Sequence, residues 1–157
     1  MSYTIRFAKA GDEEAIARLL VSIHAQHAEG RPDLFGGGHA KHTASDVLAL
    51  FGKKDAPIFV AADENDALLG YAICIVKSNQ NPAQRAYTTL YLDDLNVDAA
   101  ARRLGVGSAL LDACRAYGKE MGCYNLTLNV WAFNEGAISF YEKNGFTPQR
   151  TILEDIL

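Results

Sequence analysis

Seven consecutive residues, Arg102-Arg103-Leu104-Gly105-Val106-Gly107-Ser108, combine two cations and two glycines with the start of a helical spacing of apolar residues. A glycine turn leading from a strand into a helix leaves backbone N–H groups without intrahelical acceptors, and the helix dipole adds positive potential there. Such a turn is an anion socket, and two arginines at its lip suit it to a phosphate or pyrophosphate rather than a lone carboxylate. The spacing is not that of a P-loop, which closes on Gly-Lys-Ser/Thr, nor of a dinucleotide fingerprint, which needs a third glycine and a following acid. A second group precedes the turn: Asp93 and Asp94 stand side by side in Tyr91-Leu92-Asp93-Asp94-Leu95-Asn96-Val97. Adjacent carboxylates in a strand made for burial are costly unless exposed, paired or functional. Regular alternation sends them to opposite faces.

Two further residues stand on a downstream helix. Asn134 is a good N-cap, and Tyr141 sits where an amphipathic helix places a core aromatic. The four histidines form two H-x-x-H patterns, His24 with His27 and His39 with His42. On a helix such a pair shares a face and could hold a metal, but metal sites usually bring carboxylate or thiolate partners at defined spacing, and no metal is expected. Cys74, Cys114 and Cys123 are odd in number and lack metal-type spacing, so they read as reduced, mostly buried thiols.

These groups must be positioned by one domain spanning 1–157, since 157 residues with 49% apolar content suffice for a single core. The start of the chain lacks the basic head and apolar stretch of a signal peptide, no run is long enough to span a bilayer, and a cytoplasmic location is expected. The formal net charge of −4 argues against a nucleic-acid surface, including one built on Arg102 and Arg103.

The periodicities predict strands at 4–8, 58–63, 68–77, 87–97, 125–131 and 146–157. Helices are predicted from Gly11-Asp12 to about His27, from Ser45-Asp46, from Val106 to Met121 and from Asn134 to Asn144. Asn65 and Asp66 mark a hairpin, and the aperiodic stretch from Glu29 to His42, with its Gly36 to His42 segment suited to a movable flap, is a long loop. The order is too mixed for a doubly wound parallel sheet and predicts an α+β domain with a central, mostly antiparallel mixed sheet flanked by helices.

That order, the R-x-x-G-x-G turn and the downstream segment from Asn134 to Phe146, which looks like N-x-x-A-x-x-x-Y-x-x-x-G-F, resemble the GNAT superfamily of N-acetyltransferases over essentially the whole chain. The resemblance implies that acetyl-CoA is the cosubstrate, its pyrophosphate held by Arg102, Arg103, Leu104, Gly105, Val106, Gly107 and Ser108. It implies that Asn134 and Ala137 neighbour the pantetheine arm and that Tyr141 lies beside the sulfur. A phenol with an ordinary pKa of about 10 can hand a proton to a departing thiolate of pKa about 8.5. It also implies a bulge near Leu95, Asn96 and Val97 that turns a free amide toward the acetyl oxygen.

Tyr91-Leu92-Asp93-Asp94 resembles the Y-L-E-D stretch of the polyamine acetyltransferase branch, which assigns Asp93 as a general base working through water. Surface or ion-paired carboxylates are the alternative reading. Arg103 stands where the family commonly has glycine. The histidines fall in the region where the family selects its acceptor. The resemblance thus implies direct attack by a primary amine of a small cationic molecule, a polyamine or amino-acid-like amine, in a ternary complex. A protein or peptide amine, and a non-catalytic acyl-CoA-binding module, are the alternatives. A homodimer is expected by analogy, the last strand offering an edge for pairing.

Overall fold

The β-rich stretches pair into one five-stranded sheet in the computed structural model, which describes residues 2–36 and 39–157. Strands β1 (Tyr3–Phe7), β2 (Ile58–Asp63), β3 (Leu68–Ser78), β4 (Thr88–Val97) and β5 (Asn125–Leu128) lie side by side in chain order. Neighbours from β1 to β4 are antiparallel. Helix α3 (Val106–Glu120) returns the chain across the sheet, so β5 runs parallel to β4. The fold is α+β with a mixed, mostly antiparallel sheet, as the element order predicts.

Alternation along the central strands builds a core on each face. Ile58, Val60, Tyr71 and Ile73 join Ile16 and Leu20 of α1 (Glu13–Gly30) and Val47 of α2 (Ala44–Leu50). Phe59, Ala72, Cys74, Leu90 and Leu92 join Val106, Leu110, Leu111 and Cys114 of α3, with Phe140 and Tyr141 of α4 (Glu135–Lys143) packed against them. Gly107 lets α3 and α4 approach closely, because a Cβ there would stand 2.8 Å from Cζ of Phe140. Cys74 and Cys114 meet in this core as free thiols, their sulfurs 3.5 Å apart.

Several boundaries differ from expectation. Asp12 occupies the N-cap position of α1 without capping it. Its buried carboxylate instead accepts from Arg6 at 2.7 and 3.1 Å and from the Lys9 amide at 2.8 Å. Helix α2 opens on a reciprocal cap between Thr43 and Asp46 rather than at Ser45. Strand β5 stops at Leu128, short of Trp131, and a 3-10 turn over Ala99–Ala101 follows β4. The strand expected over 146–157 does not form: residues 147–157 pair with no strand and are exposed throughout, and an extended segment becomes a strand only where it meets a partner edge. Of the stretch expected as a flap, Gly37 and Gly38 lie outside the described residues. No helix among the described residues is long and apolar enough to cross a membrane.

Candidate active site

The register between β3 and β4 changes at the acidic pair. Gly70↔Val97, Tyr71↔Asn96, Ala72↔Leu95 and Ile73↔Asp94 are partners, but the next pair is Cys74↔Leu92, which leaves Asp93 as the extra residue of a β-bulge. The bulge lies at Asp93, not at Leu95 to Val97 as expected. It also cancels the alternation that would have separated the two carboxylates. Asp94 accepts from the Tyr71 hydroxyl at 3.3 Å on the α1 and α2 side of the sheet. Asp93 reaches the same side, where its carboxylate accepts from Lys41 Nζ at 2.6 Å and stands 3.2 Å from His42 Nε2.

Environment then separates the two acids. Burial raises Asp93, but hydrogen bonds from Lys41 and His42 outweigh it and hold the group below the usual carboxylate range. Asp94 is pushed up to about 6 by burial, with the charge of Asp93 adding to it. The Tyr141 phenol is raised above its ordinary value by burial and then by the charge of Asp94, which puts this helical hydroxyl within electrostatic reach of the acid. Rings of Phe140 and Phe146 flank Tyr141 at 5.1 and 5.5 Å between centroids.

Beyond the acidic pair β4 and β5 part company. Their last paired residues are Leu92 and Leu128, so Asp93 to Val97 has no strand on its β5 side. The resulting cleft leaves backbone groups of that stretch open to a guest. Leu95 and Val97 pack on the α3 side, whereas Asn96 is buried and donates to Leu19 O at 2.8 Å and Ser22 Oγ at 3.0 Å, which ties α1 to the cleft.

The anion turn opens at the N-terminus of α3. Gly105 is its N-cap, left-handed at φ 79, and makes no side-chain cap. Among the described residues nothing accepts from the N–H groups of Arg103 through Ser108, and Arg102 to Gly105 are exposed. Arg103 is left-handed at φ 65, the conformation that makes glycine the easier residue at this place. These free donors and two exposed arginines give the turn the character of an anion site. At α4, Asn134 caps the helix by accepting from the Ala137 amide at 3.1 Å, which leaves its side-chain NH2 unpartnered among the described residues.

Sequence reasoning did not find Lys41 as the partner of Asp93, or Tyr71 as the partner of Asp94, since neither spacing carries a local signal. The bulge did leave one: apolar residues fall at 90 and 92, then at 95 and 97, a phase slip of one residue. His24 and His27 join an aromatic cluster with Phe35 rather than pairing with His42.

An anion turn at a helix start, close in sequence to an unpaired stretch of strand that carries two carboxylates, is an arrangement suited to group transfer. The chain is a member of the Acetyltransferase (GNAT) family, whose model matches residues 23–146. It is 30% identical over 142 residues to the uncharacterized N-acetyltransferase YhfO of Bacillus subtilis, covering 90% of this chain and 88% of that protein. It is also 30% identical over 138 residues to the peptidyl-lysine N-acetyltransferase YjaB of Escherichia coli, covering 85% and 74%. The fold matches that of a mutant of the BH1408 protein of Bacillus halodurans, with TM-score 0.92 and 28% identity over 98% of this chain and 99% of that one. The protein is therefore an acetyl-CoA-dependent acyltransferase acting on an amine.

Proposed function

We propose that this acetyltransferase moves the acetyl group to the primary amine of a small cationic molecule by direct attack in a ternary complex. The reading is supported by the end of β4–β5 pairing at Leu92 and Leu128, which leaves Asp93 to Val97 with no strand on that side, and by Asp94 of this stretch lying within electrostatic reach of the Tyr141 phenol. Acetyl-CoA supplies the acetyl group as an activated thioester. The N–H groups of Arg103 to Ser108, with Arg102 and Arg103, hold its diphosphate, and the NH2 of Asn134 and the backbone around Ala137 face its arm. Backbone N–H groups between Asp93 and Val97 stabilise charge on the acetyl oxygen.

Asp94, ionised at neutral pH, takes the proton of the incoming ammonium through a water, and Tyr141 gives its proton to the departing sulfur. Asp93 was the expected base. The low pKa imposed by Lys41 and His42 suits it instead to a positioning role, in which it ties the loop before α2 to the cleft. The relative named as a peptidyl-lysine acetyltransferase favours a second reading, in which the amine is a lysine side chain. Thiol release from acetyl-CoA with a panel of amines and lysine peptides tests both. Saturable release with the small amines is the expected result, whereas release with the lysine peptides alone would put the second reading in its place.

A homodimer is part of the proposal. Ile152, Leu153 and Ile156 are 85%, 89% and 76% exposed, and β5 is an edge strand with one side unpaired. One chain thus carries both an apolar extended segment and an open edge, a combination that a second copy satisfies reciprocally. Light scattering on the eluting protein is expected to give twice the 17.1 kDa chain mass, and Ile152→Ser with Leu153→Ser to shift it toward one. A wild-type monomer at micromolar concentration would remove this part.

A further inference from the structure

The outer wall of the cleft is aromatic. Phe35 stands 5.3 Å from Trp131 and 5.3 Å from His27, while Trp131 stacks on Phe133 at 6.1 Å. Trp131 follows closely on Leu128, where β5 leaves β4, so this wall flanks the stretch that begins at Asp93. Lys41 lies between the two regions: it bonds Asp93, and its charge joins burial and the charge of His24 in lowering the pKa of His27. Trp131 and Phe133 are 38% and 37% exposed, which is surface left for an apolar guest. The wall is also built in. Phe133 occupies the space a side chain at Gly30 would need, since a Cβ there would lie 2.2 Å from its ring. Nε2 of His24, edge-on to Phe35 at 6.0 Å, is buried with no hydrogen-bond partner among the described residues. That is a polar atom kept without a mate beside the wall.

Charge around the cleft suits one ammonium. Asp93 is paired by Lys41, and Asp33 and Glu154 are both paired by Arg31. Among these described acids Asp94 alone has no basic partner in an ion pair. Of Asp33, Asp93, Asp94 and Glu154, a second ammonium on the same molecule would find only carboxylates already paired with a base, and it would also meet the like charges of Lys41 and Arg31.

Building on the acetyl-transfer reading above, we propose that the acceptor is a singly charged primary amine bearing an apolar or aromatic group beside the nitrogen, and that Phe35, Trp131 and Phe133 receive that group. An arylalkylamine and the α-amino terminus of a peptide that begins with an apolar residue share this chemistry. Polyamines, the branch the acidic motif suggested, do not.

The test uses 2-phenylethylamine, spermidine, and two short peptides that begin with Met-Leu or with Gly-Ser. Trp131 is the single tryptophan of the chain, so its fluorescence reports binding with CoA present, independently of turnover. The apolar amines are expected to shift that emission and to exceed spermidine in kcat/KM by about tenfold or more, the size of an apolar pocket's discrimination. Which of 2-phenylethylamine and the Met-Leu peptide is preferred identifies the source. Phe35→Ala, which keeps the fluorophore, is expected to raise KM for the apolar amine about tenfold with a smaller change in kcat, and Phe35→Leu to recover most of it. Equal or better binding and turnover of spermidine, or an apolar preference that survives Phe35→Ala, overturns the inference and leaves acetyl transfer standing. Apolar amines that shift the emission without being acetylated would also overturn the inference, since they would be bound but not accepted, while thiol release with another amine of the panel would leave acetyl transfer standing.

Discussion

Replacing Tyr141 with Phe is expected to lower kcat by about 10²- to 10³-fold while the affinity for acetyl-CoA and the melting temperature stay close to those of the unaltered protein. The ring is what the fold uses: it lies between Phe140 and Phe146 in edge contacts and packs on the core beneath α3. The hydroxyl carries no hydrogen bond among the described residues that the substitution would break. On the mechanism proposed above, what is lost is a proton donor. Burial and the charge of Asp94 keep the phenol protonated across the physiological range, so the donor is always loaded when the thiolate leaves. A leaving thiol near pKa 8.5 is less basic than this phenolate, so the bond matters most as charge develops on sulfur. Steady-state kinetics and calorimetry with CoA decide the matter. Unchanged turnover would assign Tyr141 to packing alone.

How far the sequence led to this cleft can be judged residue by residue. The anion turn was readable because its function rests on backbone groups, and glycine spacing plus a helix start determines where those point. The central strands were readable because each face has its own core and alternation records it. What stayed hidden depends on contacts between distant residues. The pairing of Lys41 and His42 with Asp93 crosses 52 and 51 positions, and the tie of Asn96 to α1 crosses 77 and 74. Two adjacent aspartates look interchangeable until the bulge sets one against cations and the other against a buried phenol. The tail from Thr147 differs for another reason: its apolar content suits a strand, but a strand exists only where a partner edge is reached, and these residues reach none.

The distinction between the two acids makes the pH profile the sharpest test of the site. With Asp94 as proton acceptor, activity needs its ionised form, so kcat/KM should rise with pH through about 6 and then level off. Asp94→Asn is expected to cut kcat/KM by about 10²-fold or more and to abolish that inflection. The residual rate should then climb with the free-amine fraction of the substrate toward its own pKa near 10. Stability should move the other way. A carboxyl whose folded pKa lies above its unfolded value makes its ionised form a cost to the fold, and this cost grows as pH rises from about 4 to 6. The neutral amide removes the cost and can still accept from the Tyr71 hydroxyl, so the melting temperature at pH 7 should hold or increase. Lower activity with undiminished stability cannot come from a damaged fold. Asp93→Asn is the counter-experiment, since it breaks the link to Lys41 and should raise KM more than it alters the limb near 6. An inflection that persists in Asp94→Asn and vanishes in Asp93→Asn would return the role of base to Asp93.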